Sequence, residues 1–281
     1  MFKSLGKSLL RQGSGTIGGF IVILFVLIAV FAPLIATHDP NEMFLVDRLK
    51  PPLTHSDTGL HFMGFDSLGR DVFSRVVYGA RISLYVGVVA TVISLVIGCT
   101  LGLLAGYYRG AVDMIIMRLV DIQLAFPFML LALTIMATLG AGTTQIILVM
   151  GVFEWMRYAR IVRGETLSLR EMEFVEAAKA SGTRNALIMF RHILPNIVAP
   201  VVVVTTFNVA SNILAEASLS FLGLGVDAGT PSWGSMLSES RDFLQEAWWV
   251  ATFPGIATML SVLGINLLGD WLRDFLDPKI K

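Results

Sequence analysis

Asn208, Asn212 and Glu216 recur at four-residue intervals inside one of the most apolar stretches of the chain. That spacing puts all three on a single helical face. An ionisable group in such a stretch turns toward protein or water rather than lipid, so Glu216 with Asn208 and Asn212 is a candidate translocation path. The same stripe, which also holds Ser211, equally describes hydrogen bonding between packed helices, and at this level both readings stay open. Other chemistry is sparsely represented. His38, His55 and His61 fall in one polar segment and His192 in another, without ligand-like spacing to each other or to a carboxylate, so no metal site is expected. The lone Cys99 lies in an apolar run and excludes an intrachain disulfide and a thiolate cluster. Gly6, Lys7 and Ser8 resemble the end of a phosphate-binding loop, but the earlier glycine and preceding strand are missing. No nucleophile constellation and no ATP site is present in the sequence, so no cofactor is expected in this chain.

The elements that must position these residues follow from composition. Of the 281 residues, 55% are hydrophobic and 15% charged, with 21 basic residues against 21 acidic, and the mean hydropathy is +0.73. This is too apolar for a soluble globule, and the neutral charge balance argues against a nucleic-acid binder. A crossing helix needs about 20 apolar residues, and six segments meet that requirement, near 17–36, 82–107, 115–139, 142–162, 197–222 and 248–269. The expected fold is an all-α polytopic membrane protein. In the fourth segment the clean apolar part ends at Glu154, so Arg157 and Arg160 must sit near the interface. Pro127 should kink the third, where Arg118 and Asp121 are spaced to pair across one turn. Gly98, Gly102 and Gly106 share one face of the second and suit close helix packing.

Orientation comes from lysine and arginine. Fourteen of them fall in 1–16, the turn at Arg109, residues 157–191 and the tail, against six in the opposite loops. The positive-inside rule then puts both termini and the 157–191 segment in the cytoplasm. Lys3, Lys7 and Arg11 make residues 1–16 a basic, amphipathic lead-in to a retained first helix at 17–36, not a cleaved signal. Residues 37–81 form an external loop punctuated by proline and glycine, with a short helix near its end. Residues 82–281 then form the core, with a loop at 163–194. A second external segment, 223–247, carries another short helix before Trp248 and Trp249, which mark an interface.

The cytoplasmic loop is patterned to fold. Ser168-Leu169-Arg170-Glu171 fits a capping box, residues 172–181 favour a helix, and Gly182 is placed to end it. Such a capped helix, about 20 Å long, makes a stiff lever. A second short helix follows over 184–193, and Pro195 begins the return to the membrane. Phe174, Val175 and Ala178 share a face suited to docking in a groove of another protein.

Glu176-Ala177-Ala178, then Gly182, then Arg191-His192-Ile193-Leu194-Pro195 resemble the EAA loop of inner-membrane permeases of binding-protein-dependent ABC importers. Gly64 through Asp71, Tyr78 through Leu84, Phe221-Leu222-Gly223-Leu224-Gly225, Trp233-Gly234 and the tail from Gly269 to Pro278 are similar to the C-type permeases of dipeptide, oligopeptide and nickel importers. The resemblance implies six transmembrane helices with the coupling loop between helices 4 and 5. It implies a B-type permease as heterodimer partner, two cytoplasmic ATPases that bind ATP and Mg, and an external solute-binding protein, all at a bacterial inner membrane. Glu176, Ala177, Ala178, Gly182, Leu194 and Pro195 would then couple to the ATPase. The expected function is ATP-driven import of di- or oligopeptides, with nickel chelates, glutathione or another small solute as the alternative. A secondary transporter would show inverted repeats, and none is visible.

Overall fold

The computed structural model describes residues 13–227 and 229–276. The basic lead-in residues Lys3, Lys7 and Arg11, the Gly6-Lys7-Ser8 triplet, and Pro278, Lys279 and Lys281 of the tail lie outside the described residues. Ten helices matter for the site: α1 Gly13–Val30, α2 Val72–Tyr108, α3 Gly110–Leu124, α4 Phe128–Leu139, α5 Thr143–Phe153, α6 Trp155–Leu169, α7 Glu173–Ala180, α8 Val198–Phe221, α9 Trp233–Glu239 and α10 Trp248–Leu276. The segment between α1 and α2 carries a small antiparallel hairpin, β1 Thr54–Ser56 and β2 Gly59–His61, in which His55 pairs with Leu60.

The protein is all-α and polytopic. Helices α1, α2, α8 and α10 are each long and apolar enough to cross a membrane. The expected third span is α3 followed by α4, bent by 83° at the break that holds Pro127. A proline removes one rung of the helical ladder and its ring blocks another, which explains the bend at that place. The expected fourth span is divided at Glu154 into the eleven-residue α5 and the fifteen-residue α6.

One boundary differs markedly from the expectation. The short helix foreseen near the end of the 37–81 loop is the beginning of α2 itself, which starts at Val72. Asp71 sets that start, its side chain accepting from the Ser74 N–H at 2.7 Å and satisfying a donor that the first turn leaves free. The loop before it is anchored rather than loose: the indole of Trp249 donates to the Phe65 carbonyl at 3.2 Å, and the buried Trp233 of α9 donates to Val76 of α2 at 3.0 Å.

Around α2 the core divides by depth. Val86 and Ala90 pack with Met136, Ile146 and Met150 of α4 and α5. At one end Leu103 and Tyr107 pack with Val162, Val175, Ile188 and Ile193. Helix α1 lies against α10, where a Cβ on Gly18 would come within 2.6 Å of the Leu268 backbone nitrogen. Helix α2 is thus the post to which both ends of the molecule are tied.

Candidate coupling module and polar helix interface

The segment between α6 and α8 folds as a compact module, with one correction to its expected start. Helix α6 runs on through Ser168 to Leu169, so Ser168 is helix interior and caps nothing. Helix α7 begins after Met172, whose side chain makes no cap bond, and covers eight residues, about 12 Å rather than 20 Å. Its end is built as anticipated. Gly182 has φ +76°, its N–H donates to Lys179 O at 2.9 Å, and Thr183 N–H donates to Ala178 O at 3.1 Å. That pair of bonds is the Schellman motif, which needs a left-handed residue and favours glycine there. Residues Asn185–Leu187 follow as a helical turn, Ile188–Ile193 as a wider π-turn, and Leu194–Asn196 as a 3-10 turn containing Pro195.

What holds the module is a buried apolar seam with a polar clamp. Val175 is fully buried among Leu103, Tyr107, Val162, Ile188, Met189, Ile193 and Ile197, and Ala178 and Leu194 are half-buried at its margin. Phe174, expected on the same face as Val175 and Ala178, points the other way and is exposed. The Tyr107 hydroxyl donates to Asn185 Oδ1 at 2.9 Å, while the Lys179 ammonium sits 5.6 Å from the centroid of its ring. Arg170 of the α6–α7 turn donates to the Tyr107 carbonyl, and Glu171 pairs with Arg109. Glu176, Ala177, Gly182 and Pro195 are all exposed, beside the outward side chains of Phe174, Leu187 and Phe190. The module therefore presents a free surface on a fixed base. Tyr107, Asn185 and Arg170 were missed by sequence reasoning, because none belongs to a local pattern.

The arginines of α6 are paired across helices. Arg160 bonds Asp121 of α3 at 2.8 Å, so Asp121 does not pair with Arg118 as its spacing suggested. Arg163 grips Asp113 through both its Nε and Nη2 groups. On the facing side, Gly98, Gly102 and Gly106 of α2 lie directly against α6. A Cβ on them would stand 2.4 Å from Trp155 O, 2.7 Å from Ala159 O and 2.7 Å from Thr166 Cβ. Small residues on one stripe let the two backbones touch, which is what a tight transmembrane crossing requires.

Asn208, Asn212 and Glu216 all turn inward from α8 and are buried. Asn212 donates to Thr91 Oγ1 at 2.8 Å, and Asn208 lies at the Tyr158 hydroxyl. Glu216 accepts from Ser83 of α2 at 2.9 Å, from Ser220 at 2.7 Å and from Ser232, the N-cap of α9, at 2.9 Å. The side chain is fully enclosed by these hydroxyls. Between the two readings left open for this stripe, the geometry within this chain favours hydrogen bonding between α2, α8 and α9 over a path lining.

At the loop end of α2 the Gly64–Asp71 motif closes a buried ionic cluster. Asp66 accepts from Arg70 Nε and Arg75 Nη1, both at 2.7 Å, and the same two arginines reach Glu239 of α9. Beside it the fold brings His38 and His61 onto Asp71. The expectation that no carboxylate accompanies the loop histidines is corrected by this geometry. Their separation in sequence concealed it.

A scaffold of long apolar helices carrying a helix–glycine–helix module is the architecture of an importer permease, and the comparisons agree. Residues 98–281 match the family described as binding-protein-dependent transport system inner membrane component, and residues 2–52 match the N-terminal TM domain of oligopeptide transport permease C. The chain belongs to the binding-protein-dependent transport system inner membrane components, as a C-type permease of an ABC importer. It is 47% identical over 98% of its length, and 89% of the relative's, to a dipeptide transport system permease protein DppC of Alkalihalophilus pseudofirmus. It is 42% identical over its whole length, and 92% of the relative's, to a glutathione transport system permease protein GsiD of Pectobacterium atrosepticum. To a di/tripeptide transport system permease protein DppC of Pseudomonas aeruginosa it is 44% identical, over 96% of this chain and 90% of that one. The fold is similar to a chain of an inward-facing MetNI methionine ABC transporter, with a TM-score of 0.60 at 19% identity over 73% of this chain and 97% of the other. The chain is a transport component of a membrane, not an enzyme.

Proposed function

We propose that this chain is one of two permeases in an ATP-driven importer of short peptides, the other being a B-type permease. Support for peptide cargo comes from the named cargo of the full-length relatives: dipeptides, di- and tripeptides, and glutathione, itself a tripeptide. In this reading the chain crosses the inner membrane six times, with α5 and α6 together forming the fourth crossing and both termini in the cytoplasm. An external solute-binding protein delivers the peptide. Two cytoplasmic ATPases bind the ATP and Mg that drive transport.

The observation that carries the coupling reading is the fixed base and free surface of the α7 module. Glu176, Ala177 and Gly182 on α7 and its cap, with Pro195 on the return, face an ATPase cleft, while Ala178 and Leu194 seat the module on its base. When ATP draws the ATPases together, the module moves with them and drags α2 through Tyr107 and α6 through its direct continuation. A short helix with a locked C-cap transmits that displacement, whereas an open loop absorbs it. Transport follows only if the cargo site has different affinities in the two end states. The test is reconstitution in proteoliposomes with the partner permease, the ATPases and the binding protein. Uptake of a labelled dipeptide that requires ATP and persists without an ion gradient supports the reading. Uptake of a nickel chelate but of no peptide would move the cargo to that alternative.

A further inference from the structure

His38, His61 and Asp71 come from three different elements: the chain after α1, strand β2 and the N-cap of α2. One ligand atom from each lies within 4.8 Å of the others. Their orientation is more telling than their proximity. The Nδ1 edges of both imidazoles lie toward the same carboxylate, His61 Nδ1 hydrogen-bonded at 2.7 Å to Asp71 Oδ1 and His38 Nδ1 at 3.9 Å from Oδ2, where it shares a 2.9 Å hydrogen bond with the Thr37 hydroxyl that a metal ion would replace. The Nε2 edges are held on the far side: that of His38 by the Thr58 carbonyl at 3.3 Å, that of His61 by the hydroxyls of Ser56 and Thr58 at 3.1 and 3.0 Å. Outer hydrogen bonds of this kind fix the ring orientation of metal-ligating histidines.

Charge supplies the second argument. Asp71 is 1% exposed, and a buried carboxylate needs compensation. The neighbouring Arg70 and Arg75 are engaged by Asp66 and Glu239, and among the described residues no lysine or arginine pairs with Asp71. Its partners are the two imidazoles and the Ser74 N–H, so the start of α2 contributes only a partial charge.

We propose that His38, His61 and Asp71 bind one divalent transition-metal ion, of the zinc or nickel class, through the two Nδ1 atoms and the carboxylate. Two imidazole nitrogens with one carboxylate oxygen select such ions over magnesium and calcium, which take all-oxygen sets. Tetrahedral bonds of about 2.0–2.1 Å place ligand atoms roughly 3.3 Å apart. The 2.7 and 3.9 Å separations bracket that value, but the two rings stack with centroids 4.0 Å apart, so the ion enters only when the His38 ring turns off the stack and brings its lone pair toward Asp71. Three protein ligands leave a fourth position for water, on the side where His38 retains 12% exposure. The ion clips the β1–β2 hairpin and the chain after α1 onto the first turn of α2.

The test uses the untagged full-length permease, stripped with chelator, dialysed separately against zinc, nickel and magnesium chlorides, and analysed for metal per chain. The expected result is about one equivalent of zinc or nickel and none of magnesium, as set by the donor atoms. His38→Gln keeps the fold, because His38 lies at the edge of the cluster, and should weaken binding by more than the roughly 10–100-fold that loss of an outer supporting group costs. Asp71→Asn should do the same, and His55→Gln, altering an exposed residue of β1, should change nothing. Absence of zinc and nickel from the wild type, or an unchanged equivalent in His38→Gln, would overturn the proposal.

Discussion

The hydroxyl of Tyr107 donates to the side-chain carbonyl of Asn185 at 2.9 Å, joining residues 78 positions apart. The bond ties the last turn of α2, a helix of 37 residues, to the module proposed to meet the ATPase. Tyr107→Phe keeps the ring beneath Lys179 and removes only that bond, so stability should fall by about 0.5–1.5 kcal/mol. Tyr107→Ala also removes the ring from the Val175 seam and should cost more, about 3 kcal/mol. Thermal unfolding of the purified complex gives both values, and peptide taken up per ATP hydrolysed reports whether the tie carries motion. Equal coupling ratios in Tyr107→Ala and wild type would show that it does not.

Gly182 separates backbone from surface effects. A Cβ there meets nothing within 4 Å, so Gly182→Ala suffers only the left-handed backbone penalty, about 1–2 kcal/mol. Gly182→Pro cannot adopt φ +76° and loses the N–H bond to Lys179 O, so the end of α7 must rearrange and ATP-driven uptake should be abolished. Glu176→Lys sits on the exposed side of α7, where stability changes stay within about 0.5 kcal/mol. Uptake should nevertheless be lost. Membrane-inserted yield and uptake, measured on the same preparations, check all three, and wild-type uptake by Glu176→Lys would refute the coupling assignment.

The glycine stripe gives a contrast on adjoining helices. Gly102→Leu pushes its Cβ to 2.7 Å from Ala159 O and 2.8 Å from Val162 Cβ, forcing α2 and α6 apart at a cost of about 1–3 kcal/mol or more. Gly164 of α6 has open space around its Cβ, so Gly164→Ala should be neutral or stabilising by up to about 1 kcal/mol. Denaturant midpoints of the two variants should move in opposite directions or only the first should move.

Glu216→Ala leaves three buried serine hydroxyls without their acceptor, a loss of about 3 kcal/mol or more at 1–3 kcal/mol for each orphaned group. Glu216→Gln keeps one acceptor oxygen, and serine hydroxyls accept from its amide, so it should be tolerated far better. Folded yield should therefore order as wild type, Gln, Ala. Should Glu216→Ala fold at full yield and lose uptake per complex, the path reading is restored.

Asp227 caps α5 from a distance, accepting from Thr143 N–H at 3.1 Å and from its hydroxyl at 2.7 Å. These hydrogen bonds hold its carboxyl below the usual aspartate range. Because the folded value is lowered, the stabilisation is present above the unfolded value, near about pH 4, and is lost as pH falls through the lowered one. The protection of amides in the first turn of α5, taken relative to their intrinsic exchange rate at each pH, should be constant at neutral values and fall in acid. Asp227→Asn should show the lower protection already at neutral pH and converge with the wild type in acid.

Much of this molecule was readable along the chain, because its strongest signals are local. Apolar runs long enough to span a bilayer set α1, α2, α8 and α10, Pro127 set the bend before α4, and Gly182 set the end of α7, each through steric or solvation rules acting within a few residues. Ser168 misled because a capping pattern has no force once the preceding helix continues through it. What the chain could not show was which distant groups meet. Asp121 chose Arg160 over Arg118, the hydroxyls of Ser83 and Ser232 closed around Glu216, and His38 stacked on His61 with rings 4.0 Å apart. Such pairings depend on how helices cross and where a loop folds back, and a side chain takes whichever partner the backbone delivers within bonding distance. Solvation and local stereochemistry therefore determined the elements from sequence alone, while the polar interiors that join them were decided only when packing removed the water.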